Sequence, residues 1–124
     1  MSTYDLNVLR TLLDASPTAR HVVHESAKIL ESHGFTKWDG NGAPSAGHLS
    51  RGFFTRAGSI VAWSGIEKDS RLPLRMVGAH TDSPGLTLKL GSSASSFGFG
   101  LLSVEVYGGP LLNSWLDRDL ELAG

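Results

Sequence analysis

The sequence predicts an α/β fold, and three observations carry that reading. Apolar residues recur at helical spacing over the first third of the chain. The period changes to that of extended chain after Gly34. A short apolar run over residues 74–79 then ends in the polar tripeptide His80-Thr81-Asp82. Helices followed by sheet, with one strand apolar enough to be covered on both faces, is the pattern of packed α/β layers.

The first helix is expected over residues 5–15, where Leu6, Leu9, Leu12 and Leu13 share one face, with Ser2 or Thr3 as its cap. A second start signal follows at Ser16-Pro17, a capping hydroxyl before a proline whose missing N–H has no helical partner in any case. Ala19, Val22, Val23, Ser26, Ala27, Ile29 and Leu30 make the apolar stripe of this helix. It closes at His33-Gly34, because glycine readily takes the left-handed conformation that ends a helix. Residues 35–38 read as a short strand and Asp39-Gly40-Asn41-Gly42 as a turn. Residues 52–56 and 59–64 are aromatic and β-branched, and Ala57-Gly58 between them predicts a hairpin. Beyond Pro84, residues 86–90 and 101–107 read as strands joined by a Ser/Gly-rich loop over 91–100. Gly108-Gly109-Pro110 breaks the second strand.

With 124 residues the chain has room for one compact domain and a core. Eleven basic against twelve acidic residues leave a net charge of −1, which offers nucleic acid no attractive field. The absence of cysteine excludes disulfides, thiolate metal sites and cysteine nucleophiles, so any metal is held by His, Asp or Glu. The first residues carry neither a basic cluster nor an apolar core of a secretory signal, and no stretch approaches the roughly 20 apolar residues of a membrane span. A soluble cytoplasmic protein is expected. The patterned segment that runs into Leu122-Ala123-Gly124 predicts a longer natural polypeptide.

Several motifs fail on inspection. His24-Glu25 opens like a zinc-protease helix, but Lys28 stands where its second histidine belongs. Gly98-Phe99-Gly100 lacks the third glycine of a dinucleotide loop, and neither a Gly-Lys pair nor a Gly-x-Ser-x-Gly elbow occurs. His21 and His24 lie off the apolar stripe and read as solvated side chains. His80-Thr81-Asp82 differs by its placement. In extended chain the imidazole and the carboxylate project to one side, and polar groups at the carboxyl end of a buried strand are where α/β proteins build sites. Five histidines and twelve acids in 124 residues give about 0.5 chance His-x-acid pairs, so location rather than the tripeptide carries the signal. The competing reading is a polar strand end that caps the turn at Ser83-Pro84. Asp117-Arg118-Asp119 reads either as an anion-recognising cluster or, more commonly, as a local salt-bridge network. Tyr107 and Trp115 fit a packed sheet face or a subunit contact.

An ordered series of motifs resembles the aspartyl aminopeptidase family of co-catalytic zinc metallopeptidases. It runs through Ser16-Pro17-Thr18, Gly34-Phe35, Thr55-Arg56-Ala57-Gly58-Ser59-Ile60-Val61-Ala62 and Val77-Gly78-Ala79-His80-Thr81-Asp82-Ser83-Pro84. It continues with Val104-Glu105-Val106-Tyr107-Gly108-Gly109 and Trp115-Leu116-Asp117-Arg118-Asp119-Leu120, and ends in Leu122-Ala123-Gly124.

The resemblance implies that His80 is a zinc ligand and that Asp82 is the catalytic residue orienting it. It implies a metalloaminopeptidase that releases N-terminal aspartate or glutamate from peptides with two zinc ions and a glutamate base. That glutamate and the other ligands belong to a later part of the family's catalytic domain, so this chain is expected to be an incomplete, inactive N-terminal portion. Residues 1–85 are expected to form part of an α/β sandwich, and residues 86–124 the opening strands of an inserted β-rich dimerisation domain. The full enzymes are homo-oligomers that assemble into tetrahedral particles. Partners are peptide substrate and further copies, with no nucleic acid and no membrane. An apolar edge without its pairing strands predicts poor solubility or self-association. Gly85, Leu90 and Asn113 depart from the family pattern, where a bulkier residue, a proline and a histidine respectively are common. Two other readings stand beside this one. The first is a related co-catalytic zinc deacylase or broad-specificity aminopeptidase, and the second a non-catalytic oligomerisation or binding fragment built on residues 86–124.

Overall fold

The computed structural model describes residues 5–46, 50–65 and 73–124. The chain is mixed α/β and divides into two compact units, Met1–Thr81 and Asp82–Gly124.

In the first unit, helix α1 spans Leu6–Asp14 and helix α2 spans Ala19–Ser32. Asp5 caps α1, its carboxylate accepting from the Asn7 N–H at 2.9 Å, whereas the expected caps Ser2 and Thr3 lie outside the described residues. The cap of α2 is Thr18 rather than Ser16. Thr18 is extended (φ −135°, ψ 162°) and its hydroxyl faces the His21 N–H, so the helix begins two residues later than Ser16-Pro17 predicts. The C-terminus follows expectation. Gly34 has φ +78°, its N–H reaches the Glu31 carbonyl at 3.0 Å, and Phe35 N–H reaches the Leu30 carbonyl at 3.0 Å. These two bonds make a Schellman motif and satisfy carbonyls that have no partner within the helix.

Three strands follow: β1 (Thr36–Lys37), β2 (Arg51–Arg56) and β3 (Ser59–Ser64). Strand β1 runs parallel to β2 with Thr36 opposite Gly52, and β2 pairs antiparallel with β3 from Arg51↔Ser64 to Arg56↔Ser59. The hairpin turn is the predicted Ala57-Gly58, with φ +45° and +86°. Positive φ at both central residues is the type I′ pattern, whose twist matches that of the flanking strands. Helix α2 packs on all three strands and α1 packs on α2. The core between them centres on Phe53, fully enclosed, and Val23, 8% exposed. Burial of a phenylalanine contributes about 1.5–3 kcal/mol. Phe54 projects to the other face by strand alternation, where it meets Trp38 and Trp63 at centroid distances of 5.9 and 6.3 Å.

Residues 74–79 do not form the expected buried strand. Residues 73–80 carry no assigned ladder, with Leu74 74%, Met76 89% and Val77 99% exposed. A strand covered on both faces exists only through the neighbours that bond its edges and shield its sides, and the described residues supply neither.

In the second unit, β4 (Gly85–Ser96) and β5 (Phe99–Tyr107) form one long antiparallel hairpin. This corrects the expectation of a loop over 91–100. The ladder resumes at Ser93↔Leu102 after a register shift from Leu88↔Val104 and continues to Ser96↔Phe99 around a tight Phe97-Gly98 turn. Ladder bonds are made by backbone groups, so a serine-rich stretch pairs as well as an apolar one once its register is set. Alternation places Leu86, Leu88, Leu102, Val104 and Val106 on one face. Of these, Leu88, Leu102, Val104 and Val106 remain 40–57% exposed. A single 3-10 turn, Leu112–Trp115, follows the strand break. Among the described residues no helix is long and apolar enough to cross a membrane.

Candidate functional site

Thr81 and Asp82 each make a hydrogen bond within their own unit. In the first unit, Thr81 is half-buried and its hydroxyl donates to the Gly58 carbonyl at 3.0 Å. The type I′ turn at Ala57-Gly58 thus presents a carbonyl, and Thr81 uses it to fix the end of the extended segment that carries His80.

In the second unit, Asp82 precedes the start of β4. Its carboxylate accepts a hydrogen bond from the Tyr107 hydroxyl at 2.5 Å. Tyr107 is the last residue of β5 and stands opposite Gly85, so the ladder register brings it back beside the segment that Asp82 opens. Gly108, with φ +71°, packs on Pro84, and a Cβ there would meet the Pro84 Cα at 3.4 Å. That is ordinary van der Waals contact, so it is the positive φ rather than the spacing that favours glycine where the chain leaves β5. The short bond to Asp82, then the negative charge of Asp82 and a smaller loss of hydration, hold the Tyr107 phenol above the usual tyrosine range.

The other sequence-predicted candidates are dispersed. His21 is tied to the helix cap through Nδ1 and the Thr18 hydroxyl, 2.8 Å apart, and does not join His24. His24 lines a shallow cavity of about 210 Å³ with Arg20, Lys37 and Arg56. His33 Nδ1 lies 2.8 Å from the Ile29 carbonyl at the end of α2, and His48 is outside the described residues. Asp117, Arg118 and Asp119 make no ion pair with one another among the described residues, so the local salt-bridge network does not form. Asp117 instead takes a positive φ of +55° where the chain leaves the 3-10 turn.

Tyr107 is the residue that sequence reasoning assigned to a sheet face or subunit contact and that the structure places on Asp82. Its signal was slight: a tyrosine closing the return strand just before the Gly108-Gly109 break. Only the register, with its shift between Leu88 and Ser93, brings it opposite Gly85.

Zinc sites require at least three protein ligands. Among the described residues no three His, Asp or Glu side chains converge, so they do not compose a metal centre by themselves. His80 and Asp82 have the chemistry of a ligand and its orienting carboxylate, and two residues do not make a set.

The sequence profile of the Aminopeptidase I zinc metalloprotease (M18) family matches residues 12–124. The probable M18 family aminopeptidase 2 of Streptomyces coelicolor is 47% identical over 120 residues, covering 94% of this chain and 27% of that protein. The corresponding protein of Streptomyces avermitilis is 44% identical over 123 residues, with the same two coverages. A chain in the cryo-EM structure of the Ape4 and Nbr1 complex superposes with a TM-score of 0.73 at 35% identity, over 88% of this chain and 22% of that one. The matching family is one of zinc metalloproteases. The chain belongs to the Aminopeptidase I (M18) family, as its motifs led us to expect, and it spans about a quarter of the length of the relatives it matches.

Proposed function

We propose that this chain is the N-terminal part of a zinc-dependent aminopeptidase that removes acidic residues, aspartate or glutamate, from the N-termini of peptides. The observation that carries this reading is the position of His80-Thr81-Asp82 within a family match that runs from residue 12 to residue 124. In this reading His80 is one ligand of a two-zinc centre and Asp82 is the catalytic residue that orients it. The remaining ligands and the general-base glutamate are contributed by sequence beyond the positions matched here, so the chain by itself is inactive.

Residues 1–85 then belong to the catalytic α/β sandwich, and residues 86–124 open a β-rich dimerisation domain of a cytoplasmic homo-oligomer. The compact character of Asp82–Gly124 supports a separate second unit. A second reading, an oligomerisation fragment without catalytic role, draws support from the exposed apolar face of the β4–β5 hairpin.

The test compares the purified chain with the complete enzyme that carries this sequence. The chain alone is expected to hold little zinc and to leave an aspartyl anilide intact, while the complete enzyme releases aspartate faster than leucine. Stoichiometric zinc and turnover in the chain alone would refute the incomplete-site reading. Preference for a neutral residue in the complete enzyme would refute the acidic specificity. Full activity of the complete enzyme with Asp82→Asn would favour the oligomerisation fragment.

A further inference from the structure

We infer that Tyr107 is a positioning residue for Asp82: its hydroxyl, held at the end of β5, donates to the carboxylate and fixes which way Asp82 points. The inference rests on the proposed role of Asp82 and adds a residue to it. Three observations support it. The contact is short, 2.5 Å from the Tyr107 hydroxyl to Asp82 Oδ2, the length of a charge-assisted bond. It links residues 25 apart in sequence, and the backbone that carries the donor is fixed by the ladder, with Tyr107 opposite Gly85. The exit from β5 is also pinned, because Gly108 packs directly on Pro84, two residues after Asp82.

A carboxylate that must present one oxygen to a histidine needs its other oxygen occupied, or it rotates among several orientations. A tyrosine hydroxyl is suited to this: it donates one hydrogen bond, stays neutral, and is carried on a ring with only two side-chain torsions. Outer partners of metal-ligating groups commonly account for a 10–100-fold difference in metal affinity or activity.

The test uses the complete zinc-loaded enzyme that carries this sequence. Tyr107→Phe removes the hydroxyl and keeps the ring. It is expected to lower kcat about 10–100-fold with KM little changed, and to speed zinc loss to a chelator, while melting temperature and oligomer size stay as in the parent. In an Asp82→Asn background the same substitution is expected to have no further effect, because the pair acts as a unit. A kcat within twofold of the parent, or losses from the two substitutions that simply multiply, would overturn the positioning role.

If Tyr107→Phe does not fold, 3,5-difluorotyrosine at position 107 preserves the shape and gives up its proton in a lower pH range than tyrosine does. Its kcat should then fall as pH rises through that range while the parent's does not, and parallel profiles would overturn the inference. Should Asp82→Asn retain full activity, it is the proposed role of Asp82 that fails, an outcome separable from a silent Tyr107→Phe in an enzyme that depends on Asp82.

Discussion

Thr81 donates its hydroxyl to the carbonyl of Gly58 at 3.0 Å, so the residue between His80 and Asp82 is fastened to the turn of the β2–β3 hairpin. Thr81→Val keeps the shape and removes the donor. It should lower stability by about 1 kcal/mol, the net worth of a typical hydrogen bond. Urea unfolding should show a lower midpoint for valine and a near-parental one for Thr81→Ser.

Among the described residues of the first unit, Phe53 is the fully enclosed side chain of a small core. Phe53→Ala should destabilise by about 3–5 kcal/mol, as large-to-small changes in enclosed positions do, and that is enough to unfold a marginal unit. Trp38 and Trp63, which pack on the adjacent Phe54, should report the loss as a red shift in fluorescence. Unchanged emission would show that the unit does not depend on this side chain.

Both hairpin turns place an unfavourable residue at positive φ, Ala57 at +45° and Phe97 at +51°. Ala57→Asn and Phe97→Asn should each stabilise by about 0.5–1 kcal/mol, because asparagine tolerates this conformation and is preferred at the first position of a type I′ turn. Gly58→Ala at φ +86° should have the opposite sign. Thermal melts of the three variants check the ordering.

The phenol of Tyr107 is raised because its proton sits on the bond to Asp82. A raised pKa means that the protonated form is the one the fold favours. The contribution is therefore complete at pH below the ordinary tyrosine range and is lost as pH climbs through the raised value. Absorbance titration of a Tyr4→Phe variant should place Tyr107 above a free tyrosine, and Asp82→Asn should return it toward the ordinary value.

Glu25 moves the other way. Its bond to Lys28 at 2.7 Å holds the carboxyl below its ordinary value of 4.5. The contribution of that pair is present above the ordinary value and fades as pH falls through the lowered one. Lys28→Met should remove the shift in a carboxyl titration followed by NMR.

Where local chemistry decides, the structure agrees with the sequence. The end of α2 at Gly34 and the Ala57-Gly58 turn follow from single residues whose backbone preferences suffice. The Asp82 neighbourhood was legible as a place and not as an arrangement, since nothing near position 82 announces a tyrosine 25 residues away. The cap of α2 was misplaced by two residues because Ser16 and Thr18 both carry the required hydroxyl, and the choice depends on which backbone is extended.

By itself the sequence determined the mixed α/β character, the helix stripes, the turns and membership of the M18 family, because each of these is written in short patterns of residue type. Tertiary structure decided the rest. It turned the serine-rich stretch after Leu90 into ladder, gave the apolar run over 74–79 no ladder partner among the described residues, and set Tyr107 on Asp82. In each case the deciding factor is backbone pairing between distant segments. The backbone groups that make these bonds are common to nearly every residue type, so short patterns of residue type mark a strand or a turn more readily than its distant partner.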